Sequence, residues 1–178
     1  MVVMHGFSGS GKTFVASRLM AAMPAIRIRS DIERKRLADL AEEQGSGSAV
    51  GGGIYTAAAT ERVYARLRAL ARPILESGHN VVLDGTYLSA EERRLALEMA
   101  GSVGCRPVIV DVRAPPDVLR ERIMLRGAAD VSEARLDVLG YQLESAAPLS
   151  AAEQAYVVAF ENHDSPNFDE LLARVKQA

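Results

Sequence analysis

An octapeptide near the start of the chain, Gly6-Phe7-Ser8-Gly9-Ser10-Gly11-Lys12-Thr13, leaves few folds open. It fits G-x-x-x-x-G-K-[ST] in full. An apolar run, Val2–His5, precedes it, and the amphipathic stretch Lys12–Met23 follows it. The context is therefore strand, glycine loop, helix. Glycines let the backbone fold round a phosphate with its N–H groups pointing inward. The following helix adds its positive N-terminal end. Gly6, Ser8, Gly9, Ser10, Gly11, Lys12 and Thr13 are thus the candidate nucleotide-binding residues. In such a loop Lys12 neutralises the β- and γ-phosphates, and the Thr13 hydroxyl ligates Mg²⁺. No guanine-reading motif is recognisable, so ATP is the default nucleotide.

The rest of the chain repeats the strand–helix alternation. Short apolar runs at Ile26–Arg29, Asn80–Asp84, Pro107–Val112 and Tyr156–Phe160 read as further strands. Helical patterns fall at Asp31–Gln44, Thr56–Ser77, Pro115–Arg126, Ser132–Ser145 and Phe168–Gln177, and Ser89-Ala-Glu-Glu92 is a capping box that opens another. Pro24 stops the first helix, Gly78 ends the long one, and Pro73 is a candidate kink within it. Continuous apolar strands imply a parallel sheet covered on both faces, hence a doubly wound α/β class. The Gly-rich stretch 45–53 reads as a flexible loop. At 178 residues one domain spanning 1–178 is expected. The chain begins inside a strand, the pattern of a domain preceded by another.

Charge and cysteine content narrow the partners. Lys and Arg total 21 against 23 Asp and Glu, a net charge of −2. That balance disfavours nucleic acid as the partner, although a local basic groove stays open as an alternative. One cysteine, Cys105, rules out an internal disulfide framework and a Cys-rich metal site. No apolar run approaches the roughly 20 residues of a membrane helix. A cytoplasmic protein is the expectation.

Ligands in parallel sheets bind at the carboxyl ends of the strands, so the residues after each strand are the ones to inspect. Asp31 follows the second strand, 19 residues after Lys12. A carboxylate there accepts the proton of an attacking hydroxyl, or it merely caps a helix. Arg34, one turn on, is placed to hold Asp31 or a phosphate. Asp84 ends the third strand, where it holds Mg²⁺ or serves as a turn residue in Asp84-Gly85. Arg122 and Arg126 share a helix face beside a break at about 127–133, which suits a lid over transferring phosphate. The bland alternative is a solvated face, since 18 of the basic residues are Arg and only three are Lys. Asp111 and His5 read as structural, and Glu91, Glu92, Arg93 and Arg94 read as a solvated helix start. Tyr55 and Tyr64 line a substrate pocket or pack in the core.

The ordered set Gly6–Thr13, Asp31-x-x-Arg34, Asp84-Gly85-Thr86, Glu92-Arg93-Arg94 and Arg122-x-x-x-Arg126-Gly127 resembles the P-loop kinases that include polynucleotide 5′-hydroxyl kinases, zeta toxins and chloramphenicol phosphotransferase. It is most similar to the uncharacterised ATP-binding kinase-like domain often fused to aminoglycoside-phosphotransferase-like domains. The resemblance runs from Val2 to about Leu149. It implies a three-layer P-loop kinase fold with five parallel strands in the order 2-3-1-4-5 and a small lid. It implies Asp31 as general base, Arg34 near the acceptor, Lys12 and Thr13 on ATP·Mg, and Arg122 or Arg126 as lid arginine. The expected activity is transfer of the γ-phosphate to a hydroxyl of a small-molecule acceptor. The alternatives are a polynucleotide 5′-hydroxyl kinase, with Arg66, Arg68 and Arg72 as its basic stripe, and a non-catalytic ATP-binding regulatory module.

Overall fold

The computed structural model describes residues 1–41, 53–125 and 136–178. Five parallel strands form one sheet: β1 (Val2–His5), β2 (Ile26–Arg29), β3 (Val81–Asp84), β4 (Val108–Arg113) and β5 (Val157–Glu161). Their order is β2-β3-β1-β4-β5, the order of a P-loop kinase sheet. The helices are α1 (Lys12–Ala22), α2 (Ser30–Arg36), α3 (Ala57–Glu76), α4 (Ala90–Ser102), α5 (Pro116–Leu125), α6 (Leu136–Ser145) and α7 (Phe168–Gln177).

Alternation along β1 explains why its run is apolar throughout. Met1 and Val3 face a core with Tyr64, Leu67 and Ala71 of α3 and Ala96, Met99 and Ala100 of α4. Val2 and Met4 face the opposite core, with Val15, Ala16 and Leu19 of α1 and Leu171 and Val175 of α7. A strand buried on both faces has no polar side to show, and each full side-chain burial stabilises by about 1.5–3 kcal/mol. Helix α3 presents Val63, Leu67, Ala71 and Leu75 at helical spacing and runs through Pro73 to Glu76.

A third, smaller cluster joins Leu119 and Ile123 of α5 to Leu139 of α6, with Phe7 of the glycine loop packed against it. Helices α5 and α6 thus rest on the loop itself.

Helix α2 is shorter than the pattern Asp31–Gln44 suggests. It ends in a turn that closes on Asp39, which takes the left-handed conformation at φ 54°. Leu40 N–H donates to the Lys35 carbonyl at 2.9 Å and Asp39 N–H to that of Arg36 at 3.3 Å, a Schellman closure without glycine. The flexible loop expected at 45–53, apart from Gly53, and the lid expected at 127–133 lie outside the described residues.

Candidate active site

The glycine loop joins β1 to α1 at the carboxyl end of the central strand. Gly9 and Gly11 have φ of 84° and 89°. A Cβ on Gly9 would lie 2.6 Å from the Leu119 carbonyl oxygen of α5, and one on Gly11 would run into the Asn162 side chain. Backbone conformation therefore favours glycine at both positions, and the Leu119 backbone adds a steric reason at Gly9. Other elements hold the loop. Asn162, just past β5, donates Nδ2 to the Ser10 carbonyl at 2.7 Å. Arg122 Nη1 reaches the same oxygen at 3.4 Å, and its Nη2 donates to the Asn162 carbonyl at 2.8 Å. Gln142 of α6 accepts from Ser8 N–H at 2.8 Å. Lys12 Nζ donates to the Phe7 carbonyl at 2.7 Å.

At the head of α1, Thr13 Oγ1 donates to Asp84 Oδ2 at 3.2 Å. Arg27 of β2 donates Nε to the same Asp84 oxygen at 3.0 Å. Its Nη2 stands 2.7 Å from that oxygen as an ion pair, off the axis of an N–H bond. Its Nη1 donates to Ser17 Oγ at 3.0 Å. The donor chemistry fits Mg²⁺: a hydroxyl and a carboxylate, both hard oxygens, meet beside a loop shaped for phosphate. Among the described residues no group of three or more His, Cys, Asp or Glu could hold a metal by itself. Phosphate oxygens would have to complete such a site.

The next strand over carries the other acid. In the β2–β3 register Arg29 pairs with Asp84, which sets Asp31 two residues beyond that level. Arg29 grips Asp31 with two bonds, Nε to Oδ1 at 3.1 Å and Nη2 to Oδ2 at 2.5 Å. The Ile32 amide donates to Oδ1 at 3.0 Å. The partner of Asp31 is therefore Arg29. Arg34 instead donates Nη1 to the Ile54 carbonyl at 2.7 Å and Thr60 Oγ1 at 3.2 Å, and its guanidinium lies 5.0 Å from the Tyr55 ring centroid. Burial pulls its pKa below the usual arginine value, against Tyr64, Tyr55 and Asp31 acting to raise it. A cavity of about 220 Å³ lies beside it, lined by Arg34, Leu37, Ile54, Arg62 and Val63 among others.

Several other side chains settle differently from their expected places. Tyr64 is buried, and its hydroxyl meets Thr86 Oγ1 at 3.0 Å, so it belongs to the core. Glu92 and Arg93 do not form a solvated helix start. The Arg93 side chain is fully buried and donates to both Glu153 oxygens and to the carbonyls of Tyr87, Leu88, Ala147 and Pro148. Glu92 pairs with Arg68. Arg66 pairs with Glu33 and Arg72 with Glu76, so each arginine of the supposed stripe has an acidic partner. His5 Nδ1 bonds Asp111 Oδ1 at 2.6 Å across the β1–β4 register. Burial alone would raise the Asp111 pKa, but His5 and Arg113 together hold it below the ordinary carboxylate value. Arg126 lies outside the described residues.

The structure thus brings together the loop residues, Lys12, Thr13, Asp84 and Arg122, with Asp31 on the neighbouring strand exit. Arg27, Arg29 and Gln142 are the residues around the site that sequence reasoning missed; Asn162 begins the stretch Asn162–Pro166 that fold analogy sets near the adenine, and the structure adds its bond to the Ser10 carbonyl. The alternation Ile26-Arg27-Ile28-Arg29 was the available signal for the first two, since it sets both arginines on one face.

Fold and loop together are those of the P-loop kinase α/β fold. The chain belongs to the AAA domain family, whose model matches residues 1–149. An uncharacterised protein of Mycobacterium tuberculosis and its counterpart in Mycobacterium bovis are each 30% identical over 130 residues. That match takes in 73% of this chain and spans 26% of the length of those relatives. Among solved structures, Kti12 from Chaetomium thermophilum in complex with ADP-AlF3 has a TM-score of 0.75 at 15% identity, covering 99% of this chain and 97% of that one. A gluconokinase from Sinorhizobium meliloti has a TM-score of 0.65 at 20% identity, with 98% and 87% covered. The Mycobacterium tuberculosis APS kinase CysC, in complex with AMPPNP and APS, has a TM-score of 0.61 at 19% identity, with 99% and 94% covered. No helix among the described residues is long and apolar enough to cross a membrane.

Proposed function

We propose that this chain is an ATP- and Mg²⁺-dependent kinase that transfers the γ-phosphate to a hydroxyl of a small-molecule acceptor. One observation carries the reading: Thr13 and Asp84 meet at the mouth of the glycine loop, while Arg29 holds the Asp31 carboxylate on the adjacent strand exit. The likeness in fold to a gluconokinase and an APS kinase supports it. So does the resemblance of the ordered motif set to zeta toxins, chloramphenicol phosphotransferase and polynucleotide kinases.

Loop amides and Lys12 bind and orient the phosphates. Thr13 and Asp84 would hold Mg²⁺, which when bound neutralises charge on the phosphate oxygens. Asp31 accepts the proton of the acceptor hydroxyl as its oxygen bonds to phosphorus; the bond from phosphorus to the bridging oxygen breaks, and ADP leaves. Arg122, beside Ser10, and Arg126 stabilise charge on the transferring group. Arg34 forms a wall of the acceptor pocket together with Tyr55. A cytoplasmic setting suits a chain with one cysteine, and a further domain on the same polypeptide belongs to this reading.

The test is an acceptor screen with γ-labelled ATP and Mg²⁺ against pooled metabolites, nucleosides, aminoglycosides and 5′-hydroxyl oligonucleotides. Label should move to one small-molecule pool and stay on ATP in Asp31→Asn, with nucleotide affinity intact in that variant. Label moving only to oligonucleotides would replace this reading with the polynucleotide kinase. Nucleotide binding without transfer to any pool would favour the regulatory module.

A further inference from the structure

The cavity beside Arg34 has a charge that the fold does not balance. It lies between α2, α3 and the turn at Gly53–Tyr55, and Leu37, Ile54 and Val63 give it apolar walls. Two arginines line it, Arg34 and Arg62, and among the described residues no acid does. Arg34 donates Nη1 to the Ile54 carbonyl and to Thr60 Oγ1, and its guanidinium lies over the Tyr55 ring. These partners are all neutral. Its Nε and Nη2 meet no acceptor among the described residues. Arg62 stands apart from the other arginines of α3. Arg66 pairs with Glu33, Arg68 with Glu92 and Arg72 with Glu76, whereas Arg62 has no acidic partner among the described residues.

A guanidinium partly withdrawn from water is costly unless an anion meets it. The planar fork of arginine matches the paired oxygens of a carboxylate or a phosphate. Asp31 lies near enough for its charge to act on Arg34, but Arg29 already holds both Asp31 oxygens. The cavity is therefore within electrostatic reach of the proposed base, and its arginines still lack an anion. Its volume of about 220 Å³ is below the roughly 300–1,000 Å³ of a site for a drug-sized molecule. It suits a compact group and is too small for an aminoglycoside, whose positive charge the two arginines would also repel.

We infer that the acceptor carries an anionic group, a carboxylate or a phosphate, bound between Arg34 and Arg62 while its hydroxyl is presented to Asp31. This rests on the kinase reading above and names the substrate class of that site. A neutral polyol of the same shape leaves both guanidiniums without an anion, so the arginine pair selects by charge before the transfer begins.

The test divides the acceptor screen by charge. The full chain, Mg²⁺ and γ-labelled ATP are mixed with hydroxy acids, phosphomonoesters that keep a hydroxyl, neutral sugars and polyols, or aminoglycosides, each as a separate pool. Label should move to the hydroxy acids or to the phosphomonoesters, and which of the two takes it names the anion. On the acceptor so found, Arg62→Met should raise KM by about tenfold to a hundredfold, the loss of a hydrogen bond to a charged group, with kcat and nucleotide Kd within about twofold. Arg62→Lys keeps the charge without the fork and should lose less. Arg62 is exposed, so neither change should cost the fold. Label moving to the neutral or aminoglycoside pools as readily as to the anionic ones overturns the inference and leaves the kinase reading standing. So does an anionic acceptor whose KM is the same in wild type and Arg62→Met. No label on any pool would remove the kinase reading and this one with it.

Discussion

Arg27 neutralises Asp84 from the neighbouring strand, with Nε at 3.0 Å and Nη2 at 2.7 Å from the same carboxylate oxygen that Thr13 reaches. The carboxylate is nearly buried, its side chain 5% exposed, and the arginine side chain is 15% exposed. An anion so placed is stable only beside a cation.

Arg27→Met should therefore destabilise the fold by about 3 kcal/mol, the cost of stranding a buried charge. For a chain of this size that lowers Tm by roughly 6–12 °C. Mg²⁺ with ADP should recover more of the loss in the variant than it adds to wild type, because a cation near Asp84 then replaces the guanidinium. Thermal unfolding with and without Mg²⁺·ADP reads both effects. A variant melting with wild type would show that Asp84 does not depend on Arg27.

Arg29 fixes the orientation of Asp31 through two bonds. In the proposed reaction it acts through Asp31, as a positioning residue. Arg29→Met should lower kcat by about tenfold to a hundredfold, since a misplaced catalytic group costs that much. Nucleotide Kd should hold. Steady-state kinetics on the acceptor found by the screen, set beside calorimetric nucleotide binding, separates the two. An equal loss in both would mean that Arg29 supports the loop instead.

Glu153 gives the fold an acid limit. Burial works to raise its pKa, but its hydrogen bonds with Arg93 and Ser150 outweigh that and bring it from 4.5 down to about 2. A depressed carboxylate contributes stability that is present above its unfolded pKa and lost as pH falls through the folded one. The window is pH 4.5 down to about 2, and the stake is about 3 kcal/mol. Glu153→Gln should show a flatter stability–pH curve across that window and should be less stable at pH 7 by roughly 3–5 kcal/mol, because Arg93 keeps its buried charge without an anion. Urea unfolding between pH 2 and 7 measures the curve; a parallel curve would remove Glu153 as the cause.

Asn162 supports the loop from beyond β5, bonding Ser10 at 2.7 Å and standing against Gly11. Asn162→Ala should weaken ADP and AMPPNP alike, by about tenfold, as the buried Ser10 carbonyl loses its shorter hydrogen bond. Equal weakening is the distinguishing mark of a contact that shapes the loop itself, which both nucleotides use. Nucleotide binding unchanged in Asn162→Ala would make the contact incidental.

Some of this was legible in the sequence, and the reasons differ from element to element. The core strands β1, β3 and β4 are buried on both faces, so their runs stand out as continuous apolar stretches. The loop is legible because its chemistry needs particular residues at fixed spacing. Helix α2 reads too long because its end is made by Asp39 in a left-handed turn, where glycine would have announced the stop. Arg93 reads as solvated beside Glu91, Glu92 and Arg94, yet Arg93, Ala96 and Ala100 follow one another at steps of three and four on the buried face. Gln142 and Asn162 carry no local signal at all. They reach the loop across 134 and 152 residues of chain, and only the folded sheet brings them there.

The Arg93 clasp also sets the mechanics of α6. The Ala147 amide donates to the Leu88 carbonyl at 3.0 Å, and Arg93 holds the carbonyls of Ala147 and Pro148, so the chain is pinned just past the end of the helix. At 1.5 Å per residue, Gln142 lies about 6 Å from a fulcrum at Ala146 and Leu136 about 15 Å from it. Were the helix to pivot about Ala146, a displacement of about 1 Å at Gln142 would carry Leu136 about 2.5 Å.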